Sequence, residues 1–433
     1  MLSSEKAPLT GKEDSPRPWY RRWWALILGL LLIAITVPIV VVSLQHKHYA
    51  PPPLPPMVPP SPPGGPPPPF GDPLCGSGVL KGIGLQDLSW TPGLRRAVLR
   101  LRCMGGNAVL LRIGCQQTNL TSLHPVCPHP ESFDGLPDLI RRLRCAGLRV
   151  GLQAELHSQD GAYSQKYDTG VWAAYIGTDA MGGTSFTAAE WAAWSAAWST
   201  QLVRWAAYSE AHRVSLFSIG AELTVPQKHT GVWEAIVPAV RAVFSGNVTY
   251  GADKGSVHTV KWWDALDYIG TDSYYSKLGP GDDPTTDELD VAWAAKTREL
   301  WDAAATYNRP VLVHEIGFRS YTGANVNPGA WQDTGPVNNE LQQRLWSTML
   351  YAMCPKSSRE FAGMFVNGLS DFGTNPTGYE LTGKPACDTI ARAWGGTCAA
   401  SGVAGDASSC PAEVIAAFER CNASSTPKLR PSH

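Results

Sequence analysis

Two acidic residues stand where apolar runs stop. "LFSIGAELT" carries Glu222 and "VLVHEIGF" carries Glu315. An ionised Glu is almost never fully buried unless something pairs with it. Two facing carboxylates are what cleavage of a glycosidic bond requires, and a separation of ~5–5.5 Å gives retention of configuration. In that chemistry Glu315 attacks an anomeric carbon. Glu222, kept protonated by burial beside a second negative charge, delivers its proton to the leaving oxygen. A salt bridge or a backbone hydrogen bond is the plainer role open to either Glu alone. Around them, "YIGTDSYYSKL" places Tyr274 and Tyr275 where one could donate to Glu315, or simply pack in the core. Asp272 of the same run could hold a loop or a hydroxyl. "LQAELHSQ" offers Glu155 and His157 as ligands for sugar hydroxyls. Lys81, Arg112, Gln153, Asp253 and Lys254 also fall near strand ends and could serve in the same way.

These positions need strands to hold them. Short apolar runs at Val79–Leu85, Ala108–Ile113, Leu148–Ala154, Ser215–Ala221, Val248–Ala252, Tyr268–Thr271, Val311–His314 and Phe361–Val366 read as buried strands. Helical patterns lie between them at Gly93–Met104, Leu136–Ala146, Ala188–Ala211, Val232–Phe244, a short piece near Trp262, Thr285–Tyr307, Asn338–Met353 and Pro385–Trp394. Eight strand–helix units in alternation predict a parallel sheet closed as a (β/α)8 TIM barrel, with its chemistry at the C-terminal strand ends. Glu222 and Glu315 close the fourth and seventh strands of that count. A doubly wound open sheet is the competing fold, but "KGIGLQDLSW" is not a G-x-G-x-x-G phosphate loop. Trp191, Trp194, Trp198 and Trp205 share one helix face, which predicts packing onto the barrel rather than a substrate platform.

The rest of the chain sets the context. Trp24 to Leu44 is an uncharged run long enough to cross a bilayer as a helix. Lys6, Lys12, Arg17, Arg21 and Arg22 precede it, so the positive-inside rule puts the N-terminus in the cytosol and the remainder in the secretory lumen (Golgi) or outside the cell. The expected order is a cytosolic tail (1–23), a signal-anchor span (24–44), a Pro-rich spacer (45–74), a catalytic barrel (75–394) and a Cys-containing tail (395–433). All ten cysteines follow the span, as disulfides in an oxidising compartment would. Their spacing does not give the pairing. No C-x-x-C or H-E-x-x-H string supplies a zinc site, so no metal is expected. The net charge of −1 and the lack of a basic stripe argue against a nucleic-acid partner.

Together "IGAEL" (219–223), "YIGTDSYYSKL" (268–278) and "RPVLVHEIGF" (309–318) resemble glycoside hydrolase family 113. The resemblance runs over about residues 78–394, and "GMFVNGLSDFG" and "GKPA" look like the family's last strand and last helix. It implies a retaining endo-β-1,4-mannanase without a metal or organic cofactor. Glu222 matches the acid/base, Glu315 the nucleophile, and Tyr274 or Tyr275 the aromatic residue beside it. "TGVWAAYIGT" resembles the Trp-bearing loop after the third strand, which brings in Trp172. Asp333 with Gln342 or Gln343 is similar to a pattern between the seventh strand and its helix. Two departures stand out. Ala221 precedes the acid/base where the wider clan has Asn, and Asn367 ends the eighth strand where the clan has a Trp floor for the sugar. The expected partner is therefore a polysaccharide. A transglycosylase using the same pair, or a non-catalytic carbohydrate-binding protein on a degenerate barrel, are the alternatives.

Overall fold

A computed structural model of the 433-residue chain describes residues 73–159, 174–178, 185–330, 334–368, 375–398 and 410–423. The 24–44 run, the Pro-rich spacer, Trp172 and Asp333 lie outside these residues. Among the described residues no helix is long and apolar enough to cross a membrane.

Eight parallel strands close into a barrel in sequence order. They are β1 (Leu80–Leu85), β2 (Ala108–Gln117), β3 (Arg149–Ser158), β4 (Leu216–Ala221), β5 (Asn247–Asp253), β6 (Ile269–Asp272), β7 (Val311–Ile316) and β8 (Phe361–Val366). The helices are α1 (Pro92–Cys103), α2 (Leu136–Cys145), α3 (Ala188–Ala211), α4 (Thr230–Arg241), α5 (Thr286–Lys296), α6 (Arg298–Tyr307), α7 (Asn339–Met353), α8 (Pro385–Trp394) and α9 (Ala412–Ala423). The expected barrel is present, with three corrections. β2 and β3 run four residues further than their apolar cores, pairing through Gln117 and Ser158, so Glu155 lies inside β3 rather than at its end. The Thr285–Tyr307 pattern breaks at Thr297, whose hydroxyl bonds back to the Trp293 carbonyl. Two 3-10 turns, rather than a helix, join β5 to β6.

The barrel interior is layered. Leu80, Ala108, Leu110, Leu216, Leu312, Ala362 and Phe365 form an apolar plug of their own. Phe365 fits because Gly82 has no side chain, since a Cβ there would meet its ring at 2.5 Å. The larger core lies between strands and helices and includes the α3 tryptophans, all buried as expected. A capping box of Thr187 and Glu190 starts α3.

All ten cysteines are paired, as 75–354, 103–410, 115–127, 145–421 and 387–398. Two of these pairs fasten the α9 segment to the ends of α1 and α2, so the C-terminal part is stapled to the barrel wall.

Candidate active site

Glu315 sits fifth in β7 and is held on both carboxylate oxygens. Its Oε1 accepts from the Tyr274 hydroxyl at 2.7 Å and from Asn367 Nδ2 at 2.6 Å. Its Oε2 lies 2.7 Å from Arg112 Nη2. Arg112 comes from β2, and its Nε stands 3.3 Å from Glu155 Oε1, so one buried guanidinium serves two carboxylates. Neither nitrogen has an aligned hydrogen-bond acceptor, and the contacts act as ion pairs. Gly84 makes room for this guanidinium, because a Cβ there would stand 2.7 Å from Nη2. The carboxylates at Glu315 and Glu155 hold the Arg112 proton against the effect of burial.

A buried polar chain lies below. Gln153 Nε2 donates to Glu155 Oε1 at 2.9 Å, and Gln153 Oε1 pairs with His314 Nδ1 at 2.9 Å. An amide oxygen only accepts, so Nδ1 carries the ring proton. Nε2 then takes the Thr249 hydroxyl at 3.0 Å. Burial, reinforced by Arg112, lowers the His314 pKa to about 3 and keeps the ring neutral.

Glu222 is held through its backbone. It follows β4 directly at φ 54°, a left-handed conformation that a non-glycine residue adopts only when its surroundings enforce it. The enforcing contacts are visible. Its amide donates to the Gly251 carbonyl at 2.7 Å. The next amide, of Leu223, donates to the Tyr250 hydroxyl at 2.8 Å, and that hydroxyl donates to Gln227 Oε1 at 2.9 Å. Gln227 is anchored in turn on Ser256 and Thr259. The β4–β5 register shifts between Ser218 and Ala221, just before Glu222. The Glu222 side chain itself makes no hydrogen bond among the described residues. It is half-buried, open to the cavity and ringed by protein elsewhere. Burial, then Asp253, then Glu315 push its pKa well above the carboxylate range, with Lys254 opposing.

Both glutamates line one cavity of about 830 Å³ at the C-terminal strand ends, together with Arg112, Glu155, His157, Lys254, Asp272, Tyr274, Asn367 and Tyr379. Most of the residues picked out from sequence are thus brought together. Glu155 supports Arg112 from below, and His157 Nε2 stands 3.9 Å from it. Of the two tyrosines only Tyr274 reaches Glu315. Tyr275 is turned away, buried against Trp293, with its hydroxyl on Glu299 at 2.8 Å. Lys81 is committed to the Trp394 carbonyl and does not line the cavity. Gln342 is buried on the Phe318 carbonyl and Gln343 bonds Thr389, so both brace α7 rather than face the cavity. Sequence reasoning missed the αL turn at Glu222 and the Tyr250–Gln227 latch beneath it. Tyr250 in "TYGAD" and Gln227 in "VPQKHT" carry no local mark of their contact.

The closed barrel thus carries Glu222 and Glu315 at the C-terminal ends of β4 and β7 on one cavity, where (β/α)8 enzymes keep their chemistry. A sequence model of Glycoside Hydrolase Family 113 matches residues 111–366. The chain belongs to that family and is a glycoside hydrolase. Similar solved structures include a GH113 β-mannanase from Alicyclobacillus acidocaldarius in complex with ManMIm, at 22% identity and TM-score 0.59, covering 73% of this chain and 97% of that one. A GH113 β-1,4-mannanase complex matches at 20% identity and TM-score 0.60, covering 73% and 99%. A family 5 mannosidase from Rhizomucor miehei matches at 11% and 0.50, covering 79% and 95%. At these identities the structural likeness speaks for the fold. No curated protein matches the chain.

Proposed function

We propose that this hydrolase cleaves β-1,4-linked mannan, or a closely related polysaccharide, by double displacement with Glu222 as acid/base and Glu315 as nucleophile. One observation carries the reading: two carboxylates share a cavity in opposite settings. Glu315 is met by a cation and two donors, an arrangement suited to an anion that must stay oriented for attack. Glu222 meets no donor among the described residues and is pushed toward its protonated form.

Glu222 gives its proton to the glycosidic oxygen as that bond breaks, and Glu315 closes on the anomeric carbon to form a glycosyl ester. Glu222, now a carboxylate, takes a proton from water, and the hydroxide so generated releases the sugar from Glu315. Tyr274 and Asn367 keep Oε1 in place, leaving Oε2 beside Arg112. The mannan preference rests on the family and on neighbours described as β-1,4-mannanases. The test is reducing-sugar release from mannan, glucomannan, xylan and glucan by the wild type, Glu222→Ala and Glu315→Ala. Mannan turnover that both substitutions abolish supports the reading. Preference for xylan or glucan, or substantial turnover in either variant, counts against it.

We further propose that the 24–44 run anchors the enzyme with its barrel in the secretory lumen or outside the cell. The basic residues before that run and ten paired cysteines support this topology. The N-x-S/T sequons at Asn119, Asn247 and Asn422 would then carry glycans, and their enzymatic removal should increase gel mobility. An intact chain without glycans, extracted by salt alone, would overturn it.

A further inference from the structure

Asp272, the last residue of β6, is unlike the other cavity carboxyls. It is 2% exposed, and its Oδ1 is sealed from solvent without a hydrogen-bond partner. Its side chain makes no hydrogen bond among the described residues, yet the residue lines the cavity. Its register neighbours are Asp253 on β5 and Glu315 on β7, both acidic. The nearby guanidinium of Arg112 is taken by Glu155 and Glu315. The carboxyl rests against Gly251, where a Cβ would lie 3.4 and 3.5 Å from its two oxygens. The Gly251 carbonyl is the group that fixes the Glu222 amide. Asp272 therefore sits on the wall between the proposed acid and the proposed nucleophile.

An ionised carboxylate with no donor and no cation of its own, flanked by acids, is too costly to bury. A protonated carboxyl is tolerated, but its O–H then seeks an acceptor, and none is found among the described residues. No group of three or more metal-ligating side chains is found among the described residues, so the cluster does not read as a cation site. We propose that Asp272 is a substrate-binding residue, a neutral carboxylic acid whose O–H donates to a hydroxyl oxygen of the sugar bound between Glu222 and Glu315. Burial, then the neighbouring acid groups Glu222 and Glu315, of which Glu315 is the one next to it in register, raise its pKa well above the usual range, as this role needs. The inference rests on the proposed reading of the cavity and adds a specificity contact to it.

The test uses the full-length protein with Asp272→Asn and Asp272→Leu. Infrared difference spectra of wild type minus Asp272→Asn at pH 7 should contain the carbonyl stretch of a protonated carboxyl, and a carboxylate band in its place overturns the proposal. In a Glu315→Gln background, calorimetry with mannohexaose should give Asp272→Asn an affinity within about threefold of the parent, since an amide also donates. Asp272→Leu should bind roughly 10- to 100-fold more weakly at an unchanged melting temperature. Equal losses for Asn and Leu, or no loss for Leu, overturn it. Were the Glu315→Gln parent not to bind mannohexaose, the mannan reading would fail, and the infrared band would still decide for Asp272.

Discussion

Asp253→Asn isolates the electrostatics that suit Glu222 to its proposed role as the acid. After burial, Asp253 is the largest influence raising the Glu222 pKa, ahead of Glu315, and Lys254 is the opposing one. Asp253 and Lys254 are themselves paired, with Nζ 3.2 Å from Oδ1. Neutralising Asp253 removes a repelling charge and frees Lys254 to stabilise the ionised Glu222, so both effects lower its pKa. At an effective dielectric of ~20, removing one nearby unit charge is worth on the order of 1 kcal/mol, enough to move a pH–rate limb measurably. The general acid must be protonated to work, so the alkaline limb of kcat/KM reports its pKa in the free enzyme. The assay is a pH–rate profile on a manno-oligosaccharide at constant ionic strength. The alkaline limb should move about one unit toward lower pH, with little change at the plateau. An unmoved limb, or one displaced to higher pH, refutes the assignment of Glu222 as the proton donor.

Other expectations follow from the same contacts. Arg112→Met leaves Glu155 and Glu315 without their shared cation. Breaking a buried ion pair in this way costs about 3–5 kcal/mol, so calorimetric melting should fall sharply and activity at least a hundredfold. Tyr250→Phe strands the Leu223 amide and Gln227 Oε1, at a cost of about 1–3 kcal/mol, and should lower kcat more than it raises KM because the Glu222 turn loosens. Glu222→Gln should melt above wild type at pH 7 and level with it near pH 4. The folded pKa of Glu222 lies above its unfolded one, so its contribution to stability is intact below the unfolded value and lost as pH rises toward the folded one. Each kcal/mol recovered is worth about 1–2 °C in a barrel of this size. A variant that melts lower at pH 7 contradicts this.

The barrel was legible because its strands are buried on both faces and read as unbroken apolar runs between amphipathic helices. Phe361–Val366, Ala188–Ala211 and Pro385–Trp394 coincide with their sequence limits for that reason. Glu222 and Glu315 were legible as charges ending such runs. What lay hidden is set by contacts across the ring. Nothing local says that Arg112 on β2 reaches β7, or that His314, one residue before Glu315, points to Gln153 and Thr249 inside the barrel. Tyr274 and Tyr275 are adjacent and chemically identical. Only the turn after β6 sends one hydroxyl to Glu315 and the other to Glu299. The disulfide pairing joins residues up to 307 positions apart, which spacing does not encode. In the β5–β6 connection, which lacks a helix, Trp262 and Trp263 are stacked on each other and Trp262 is also stacked on Trp233 of α4, contacts that the local sequence does not announce.

The most direct measurement is covalent trapping with a 2-deoxy-2-fluoro-β-mannosyl fluoride, followed by mass spectrometry of the digested protein. One sugar on Glu315, absent from Glu315→Gln, is the predicted result. A label on another carboxylate, or no label from an enzyme that turns over mannan with inversion, contradicts the account.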